Sequence, residues 1–247
     1  MEWKLLLDAT GRTGAENMAW DDALLHDAAT TGSAFLRLYR WSPPCLSFGR
    51  NEPALARYDR AEIERRGWDV VRRPTGGRAV WHEDEVTYAV AAPIAAFGSL
   101  QTSYCAIHER LARALRSLGV PPELAPKNGR PVELGAGACF ATPVGGEVMV
   151  QGRKVVGSAQ VRLENAFLQH GSILLGGSQA ALNAVSRQPS AISSATSLSQ
   201  VLGRTVTFTE VVDAIVSTWE PQLTPPDPYR PLPSSAVFSH PAWTWRR

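Results

Sequence analysis

Cysteine is scarce in this sequence: Cys45, Cys105 and Cys139 are the only three in 247 residues. Their odd number and wide spacing argue against a disulfide framework of the kind that small secreted domains use. No Cys-x-x-Cys pair is present, so the chain lacks the usual ligand pattern of a structural zinc site, and we expect neither a metal nor a cofactor. These absences favour a reducing, cytoplasmic location.

Lysine is as rare as cysteine, although basic residues are common. Lys4, Lys127 and Lys154 are the only lysines among 25 Lys and Arg residues. Because arginine serves wherever a generic positive charge suffices, a lysine beside an arginine, as in Arg153-Lys154, suggests that the amine itself is needed. The formal net charge of +2 and the lack of a long basic run do not indicate a nucleic-acid partner.

Long apolar runs are also missing. No segment approaches the roughly 18 residues that a membrane-spanning helix needs, so no membrane partner is expected. The first ten residues, MEWKLLLDAT, place Glu2 and Asp8 around a short apolar run and are not expected to act as a secretory signal. With 44% hydrophobic and 19% charged residues, the composition is that of a soluble globular protein that can bury a core.

Residue periodicity predicts clusters of strands with helices between them. Apolar residues at helical spacing predict helices at 17–29, 59–67, 103–119 and 208–220. Ser103 is the predicted N-cap of the third helix. Alternating segments predict strands at 3–8, 34–41, 68–74, 78–82, 86–93 and 166–175, and a hairpin over 146–162. We expect an α+β fold with mixed, largely antiparallel β-sheets flanked by helices, in which 68–74, 78–82 and 86–93 share one antiparallel sheet.

The segment RRPTGGRAVWHEDEVTY, residues 72–88, combines two glycines with several arginines and a histidine. Gly76 and Gly77 have no Cβ, so the backbone there can adopt a positive φ or approach a ligand closely. Arg73 and Arg78 flank this turn, and His82 follows on the next strand. The plainer interpretation is a β-hairpin with a glycine turn and exposed arginines. Neither a dinucleotide-binding fingerprint nor a P-loop is present.

Lys154 stands in the segment GRKVVGSAQ, at the base of the predicted hairpin. A lysine in that position is most often solvated, so the plain hypothesis assigns it no function. The strand that it begins ends in a patch of three small residues, Gly157, Ser158 and Ala159.

His170 lies in the apolar strand LQHGSILL. A single histidine in such a strand is more often a hydrogen-bonded core residue than a catalytic one. A hydrolase triad that pairs it with Ser158 or Ser172 is conceivable, but the Gly-x-Ser-x-Gly elbow typical of that chemistry is missing.

Cys139, in GACFATP, has two interpretations. Free cysteine is among the most buried residue types, which favours a packing role. A reactive thiol needs a partner that favours the thiolate, and an ammonium such as that of Lys154 could supply it if the loop carrying the cysteine folds onto the hairpin. Cys45 and Cys105 are weaker candidates, since one begins a strand after two prolines and the other lies in an amphipathic helix.

The order of these motifs resembles the lipoate–protein ligase A superfamily, which contains the biotin/lipoate protein ligase catalytic domain. RRPTGGRAVWHEDEVTYAV, ACFATP, GRKVVGSAQ and LQHGSILL follow one another as in that family, and NMAWDDALL, LRLYRWSPPCLSFGRNE and SATSLSQVLGR extend the likeness over roughly residues 3–220. The resemblance implies a catalytic domain over residues 1–220. Residues 221–247 form a Pro-rich tail that we expect to pack on the same domain.

Within that superfamily the chain is most similar to the octanoyltransferases that work through a cysteine thioester. Ligases usually have a third glycine where this chain has Arg78, and an Asn-Asp type segment where it has ACFATP. The resemblance implies Cys139 as the acyl-carrying nucleophile and Lys154 as its catalytic partner. It further implies a set of substrate-binding residues: Arg73, Gly76, Gly77, Arg78, Val80, His82, Gly157, Ser158, Ala159 and His170.

The resemblance also implies substrates. The expected donor is octanoyl-acyl carrier protein, and the expected acceptor is a lysine of a lipoyl domain or of the glycine cleavage H protein. Two alternatives stay open: an amidotransferase that moves octanoyl or lipoyl between lipoyl proteins, and an ATP-dependent lipoate–protein ligase, which Arg78 and Cys139 disfavour. A third is a degenerate member that only binds or regulates, against which the joint presence of Gly76-Gly77, Cys139 and Lys154 argues.

Overall fold

The computed structural model describes residues 2–125, 146–188, 195–220, 222–225 and 231–246. Within these ranges the strands are β1 Trp3–Arg12, β2 Ala34–Trp41, β3 Cys45–Phe48, β4 Asp69–Arg72, β5 Val80–His82, β6 Glu85–Pro93, β7 Glu123–Leu124, β8 Val148–Val150, β9 Arg153–Lys154, β10 Val156–Leu163, β11 Ala166–Leu174 and β12 Leu223–Thr224. The helices are α1 Gly14–Thr31, α2 Ala54–Arg57, α3 Arg60–Arg65, α4 Leu100–Ser117, α5 Leu198–Leu202, α6 Phe208–Thr218, α7 Ala236–Ser239 and α8 Pro241–Thr244. Two 3₁₀ helices cover Ile94–Ala96 and Gln179–Ala184.

Six strands form the main sheet in the order β10-β11-β6-β2-β1-β12. Neighbours from β10 to β2 run antiparallel, whereas β1 is parallel to both β2 and β12. Alternate residues of β2 face opposite sides, as a pleated strand requires: Phe35 and Tyr39 pack with α1, and Leu36 and Leu38 pack with α4 and α6. The expected α+β fold with mixed, largely antiparallel sheets between helices is therefore confirmed.

A second, three-stranded sheet has the order β4-β3-β5. The prediction of one antiparallel sheet containing 68–74, 78–82 and 86–93 is wrong, since β3 lies between β4 and β5 while β6 joins the main sheet. The fully buried segment Cys45–Phe48 is the reason: it pairs parallel with β4 and antiparallel with β5. The glycine turn is consequently not the turn of a β-hairpin.

The start of α4 also differs from the sequence prediction. Ser99, rather than Ser103, is the N-cap: its hydroxyl accepts the backbone N–H of Thr102, and the Thr102 side chain accepts the N–H of Ser99. This reciprocal capping box satisfies two N–H groups that the first helical turn leaves unpaired. Ser103 lies buried inside the helix, where its hydroxyl donates to the Leu100 carbonyl.

The predicted hairpin over 146–162 forms only in its first half. β8 and β9 pair around a turn in which Gln151 and Gly152 adopt φ values of 50° and 72°. The chain then leaves this small sheet, which also contains β7, and continues as β10 at the edge of the main sheet. Lys154 therefore stands where the chain passes from one sheet to the other.

The last described residues contact the body of the protein through Arg72. Its buried guanidinium donates to the carbonyls of Trp243, Thr244 and Arg246. Trp243 returns a hydrogen bond from its indole N–H to the Arg72 carbonyl, and Trp245 packs against the cluster that contains Phe48. None of the helices in the described ranges has the length and apolar character needed to cross a membrane.

Candidate active site

A cavity lies where the main sheet meets the three-stranded sheet. It contains about 320 Å³ of empty space, part of it open to solvent. Seven of the ten residues predicted to contact substrate line it: Arg73, Val80, His82, Gly157, Ser158, Ala159 and His170. The other lining residues are Met18, Tyr39, Trp41, Thr87, Gly171 and Ser172.

His82 is held on three sides. Its Nδ1 lies 2.7 Å from Glu85 Oε1, its Nε2 lies 2.6 Å from Ser47 Oγ, and its ring stacks on Trp41 with centroids 4.0 Å apart. The Arg73 guanidinium donates to the same Ser47 hydroxyl at 2.5 Å. The rings of His82 and Trp41 both face the cavity, so these contacts fix the position of one cavity wall.

His170 lies on β11 between a carboxylate and a hydroxyl. Burial lowers its pKa, although the neighbouring Asp21 carboxylate opposes that shift. In the neutral ring, Nδ1–H donates to Asp21 Oδ2 at 2.8 Å, which leaves Nε2 to accept from the Thr75 hydroxyl at 2.6 Å. Asp21 also accepts hydrogen bonds from Arg37 and Tyr39. His170 thus connects α1 to Thr75, the residue directly before the Gly76-Gly77 turn.

The hydrolase pairings considered from the sequence do not form. Ser172 Oγ donates to Glu85 at 2.8 Å and lies 3.2 Å from His82 Nδ1. Ser158 Oγ lies 2.8 Å from Nε2 of His108, a residue of α4. The hydroxyl that does contact His170 belongs to Thr75, whose side chain is fully buried. Its burial leaves no path for a substrate to reach that hydroxyl as a nucleophile.

His108 is a neutral hydrogen-bonding residue behind the cavity wall. Burial lowers its pKa from the ordinary value of 6.5 to about 4. Its Nδ1–H donates to the Gly146 carbonyl at 2.8 Å, so Nε2 accepts the Ser158 hydroxyl hydrogen. Tyr88 contacts the same Ser158 oxygen at 2.6 Å. Ser158, which faces the cavity, is therefore held by α4 and β6 together.

The low pKa of His108 predicts a loss of stability in mild acid. Because the unfolded chain takes up a proton near pH 6.5 and the folded chain only near pH 4, the free energy of unfolding falls across that window. The loss is on the order of 3 kcal/mol for this group, and His170 contributes in the same direction. Chemical denaturation from pH 7 to 4 should show a flatter pH dependence in His108→Gln.

The matched control is His26, whose side chain is 59% exposed on α1. Because an exposed pair such as His26–Asp22 contributes little to stability, His26→Gln should change the free energy of unfolding far less than His108→Gln does. An unchanged slope in His108→Gln would show that His108 does not cause the acid sensitivity.

The backbone of the Gly76-Gly77 turn requires glycine at position 77. Gly77 has φ 89°, a conformation that L side chains rarely adopt. A Cβ on Gly76 would meet no atom of the described residues within 4 Å, so crowding by those residues does not demand glycine there. Gly49 packs directly beneath the turn, where a Cβ would overlap the Gly77 carbonyl. Arg73 donates to the carbonyls of Gly76 and Arg78 and fixes the turn from within.

Arg78 does not line the cavity in the part of the chain that the structure describes. The positive charge of its half-buried side chain is close enough to Tyr58 to oppose the rise that burial causes in the pKa of that phenol. The Arg78 guanidinium thus lies on the Tyr58 side of the glycine turn. Whether it occupies the space of an adenylate stays a prediction.

Lys154 is buried, so the plain hypothesis of a solvated lysine is wrong. Its side chain is 2% exposed, and Nζ donates to Glu147 Oε1 at 2.6 Å. The backbone on both sides is fixed: Lys154 pairs with Met149 across the β8–β9 hairpin, and its carbonyl accepts the N–H of Thr196. Gly157, three residues further on, already lines the cavity. A buried ammonium of this kind is costly unless it is paired, and such groups cluster at functional sites.

Cys139 lies outside the described residues. Of the other two cysteines, Cys45 is fully buried on β3, and burial raises the pKa of its thiol well above the usual value. Cys105 is half-buried on α4 beside Gly146. Cys45 is thus a packing residue, as free buried cysteines usually are.

Sequence reasoning missed Asp21, Glu85, His108 and Glu147. Asp21 is fully buried on α1. It lies four residues after Asn17 and three before Leu24, both buried, so helical spacing was a signal for its position. His108 likewise lies three, four and seven residues before Leu111, Ala112 and Leu115, all buried on α4. In the described residues, no group of three His, Cys, Asp or Glu side chains is arranged to hold a metal ion.

Comparison with known proteins gives a consistent result. The model of one protein family, the lipoyl protein ligase A/B catalytic domain, matches residues 13–220 of this chain. The chain is 44% identical over 201 residues to octanoyltransferase LipM of Kyrpidia tusciae, covering 76% of this chain and 71% of that protein. It is 42% identical over 179 residues to octanoyltransferase LipM of Carboxydothermus hydrogenoformans, covering 71% of this chain and 66% of the relative.

The solved structures agree on the fold. The chain superposes on a crystal structure of lipoate-protein ligase A bound with ATP with a TM-score of 0.69 and 21% identity, covering 92% of this chain and 89% of the other. At that identity the likeness concerns the fold alone, and it confirms the fold that the sequence predicted.

Proposed function

The chain belongs to the lipoyl protein ligase A/B catalytic domain family, and we propose that it transfers octanoyl from octanoyl-acyl carrier protein to a lysine of a lipoyl domain or glycine cleavage H protein, with Cys139 carrying the acyl group as a thioester. Its activity class is that of the curated relatives, octanoyl transfer in lipoate biosynthesis, so it is an acyltransferase. The substrates are an acyl carrier and a lipoyl protein in general terms, and their exact identity is part of the proposal.

The observation that carries the proposal is the burial of Lys154 next to the cavity. Its side chain is only 2% exposed to solvent. The next strand, β10, lines the cavity with Gly157, Ser158 and Ala159. A positive charge in this position would favour ionisation of a thiol brought beside it, since a nearby cation lowers a thiol pKa. It would also stabilise the oxyanion that forms when a thioester carbonyl is attacked.

The proposed reaction has two acyl transfers. The Cys139 thiolate attacks the thioester carbonyl of the donor, a C–S bond to Cys139 forms, and the carrier thiolate leaves with the electron pair of the broken C–S bond. The acceptor amine then attacks the enzyme thioester, an amide C–N bond forms, and the Cys139 sulfur leaves as thiolate. In the first transfer the Lys154 ammonium gives its proton to the departing carrier thiolate. The neutral amine so formed accepts the proton that the acceptor amine loses in the second transfer, which restores the ammonium. The first step exchanges one thioester for another and the second forms an amide, so no ATP is consumed.

The cavity offers an apolar site for the acyl chain. Met18, Tyr39, Trp41 and Val80 contribute apolar surface, and Gly157 and Gly171 complete the same part of the lining. Burying each methylene is worth about 0.8 kcal/mol, so a site of this kind would distinguish octanoyl from shorter acyl groups.

Gly76 is outside the cavity lining among the described residues, so it tests whether the thioester passes the glycine turn, separately from the reacting groups. Gly76→Ala should unfold at the same temperature as the wild-type protein, because its Cβ would meet no atom within 4 Å in the part of the chain that the structure describes. The same methyl group would enter the space left for the thioester, so we expect the transfer rate to fall by about 100-fold. The matched control is Gly49→Ala, where the Cβ would overlap the Gly77 carbonyl and stability should fall. Full activity in Gly76→Ala would mean that the substrate does not pass the turn.

The experiment that tests the proposed function is intact mass spectrometry of the protein after incubation with octanoyl-acyl carrier protein in the absence of ATP. We expect an increase of one octanoyl group, sensitive to hydroxylamine and located on the peptide that contains Cys139. Adding a lipoyl domain should remove the adduct and octanoylate the domain. An adduct formed from an octanoylated lipoyl protein, but not from the carrier, would identify the amidotransferase instead. Acceptor modification that requires free lipoate and ATP would contradict the proposal and identify a ligase.

A further inference from the structure

The carboxylate that pairs with Lys154 belongs to Glu147, a residue that no sequence motif singled out. Glu147 directly precedes β8, its side chain is 1% exposed, and its Oε1 accepts the Lys154 ammonium at 2.6 Å. β8 and β9 are adjacent strands of one hairpin, and Met149 is the direct partner of Lys154 across it. The short turn at Gln151-Gly152 thus brings a carboxylate and an ammonium together from positions seven residues apart.

A buried ion pair determines the charge of both partners. Moving an ammonium or a carboxylate out of water costs several kcal/mol, and their mutual attraction offsets this only while both remain charged and close. If the carboxylate is removed, a buried lysine avoids the cost by losing its proton, because desolvation favours the neutral amine. The protonation state of Lys154 therefore depends on the charge of Glu147.

Other titratable groups surround the pair. From α4, Tyr104 OH donates to Glu147 Oε1 at 3.3 Å, Cys105 lies beside Gly146, and His108 bonds to the Gly146 carbonyl. The Lys154 charge helps to lower the pKa of His108, so that ring is neutral when the lysine is charged. From β6, Tyr88 is fully buried with a raised pKa. The charged side chains of Glu123 on β7 and Arg153 on β9 are exposed to solvent.

We propose that Glu147 is a positioning residue for acyl transfer: its carboxylate keeps Lys154 in the ammonium form and holds Nζ in place, so that the lysine can favour the Cys139 thiolate in the first transfer. The inference rests on the proposed function of Cys139 and Lys154. Glu147 acts through Lys154 and does not touch the substrate. Its effect should therefore appear in the pH dependence of acyl-enzyme formation.

The test is the single-turnover rate of acyl-enzyme formation from octanoyl-acyl carrier protein, followed by intact mass between pH 5.5 and 10. In Glu147→Gln we expect the basic limb of the profile to move at least about one pH unit lower, because Lys154 loses its proton at a lower pH. The rate near pH 8 should fall by about 100-fold. Glu147→Asp keeps a carboxylate that lies one methylene further from Nζ, so it should recover most of the rate near pH 8 with a basic limb between those of Glu147→Gln and the wild-type protein. Glu123→Gln, on the neighbouring strand, should keep the wild-type profile.

A purely structural role for Glu147 would lower the rate equally at all pH values and leave the basic limb where it is, which would overturn the inference. If Glu147→Gln does not fold, Glu147→Asp decides alone: its carboxylate is one methylene further from Nζ, so a basic limb shifted to lower pH supports the inference and an unshifted limb overturns it. If the wild-type protein forms no adduct, the proposed function fails and this inference with it. A wild-type adduct with an unshifted limb in the variants overturns only the role of Glu147.

Discussion

Replacement of Cys139 by alanine is expected to abolish the octanoyl adduct and to lower transfer to a lipoyl domain by at least about 1000-fold, since removing a nucleophile eliminates the covalent route. The measurement is intact mass after incubation with octanoyl-acyl carrier protein, together with the rate of octanoylation of the acceptor. The effect should be on the acyl-enzyme step, so octanoyl-acyl carrier protein should still bind to the Cys139→Ala variant with an affinity close to that of the wild-type protein.

The other two cysteines provide matched controls for this prediction. Cys105 is half-buried on α4, where alanine is a good helix former, so Cys105→Ala should keep the adduct and the transfer rate. Cys45 is fully buried with a raised thiol pKa, and an octanoyl group should never be found on it. A hydroxylamine-sensitive adduct that persists in Cys139→Ala but disappears in Cys105→Ala would identify Cys105 on α4 as the nucleophile.

The fold could be predicted wherever local pattern and burial agree. The strand expected at 34–41 is β2 at Ala34–Trp41, and the one expected at 166–175 is β11 at Ala166–Leu174, because each is a strongly apolar run bounded by turns. Which strands pair within a sheet could not be predicted in the same way. Strands are predicted at 68–74 and 78–82 as members of one antiparallel sheet, yet β3, which comes earlier in the chain, lies between β4 and β5. Strand partners of that kind are decided by long-range packing rather than by local pattern.

The residues of the candidate site were likewise predictable only in part. Ordered motifs brought Arg73, His82 and His170 to attention, and they do line one cavity. The residues that hold them come from distant parts of the chain: Asp21 is 149 positions from His170, and Ser47 is 35 positions from His82. No spacing rule connects such pairs, since only the folded sheet brings them together. Where Cys139 lies relative to Lys154 stays a prediction, and the assays above test it chemically.

Replacement of Lys154 by arginine is expected to separate the two halves of the reaction. Arginine keeps a positive charge, so the Cys139 thiolate and the octanoyl adduct should still form, though more slowly in a site that fits a lysine at 2% exposure. A guanidinium does not release its proton near neutral pH and so cannot accept one from the acceptor amine. Transfer from the adduct to a lipoyl domain should therefore fall by about 100- to 10,000-fold, the usual range for loss of a general base.

The measurement is a pre-formed adduct mixed with lipoyl domain, with the decay of the octanoyl mass followed over time. Lys154→Met removes the charge as well and should suppress adduct formation itself, which distinguishes the two roles of the amine. Arg153→Lys, at the exposed neighbouring position, is the matched control and should behave as wild type. If Lys154→Arg instead turns over at nearly the wild-type rate, a fixed positive charge is enough at this position. Another group must then accept the proton of the incoming amine. The Cys139 thiolate, which is released from the same carbon in that step, is the first candidate.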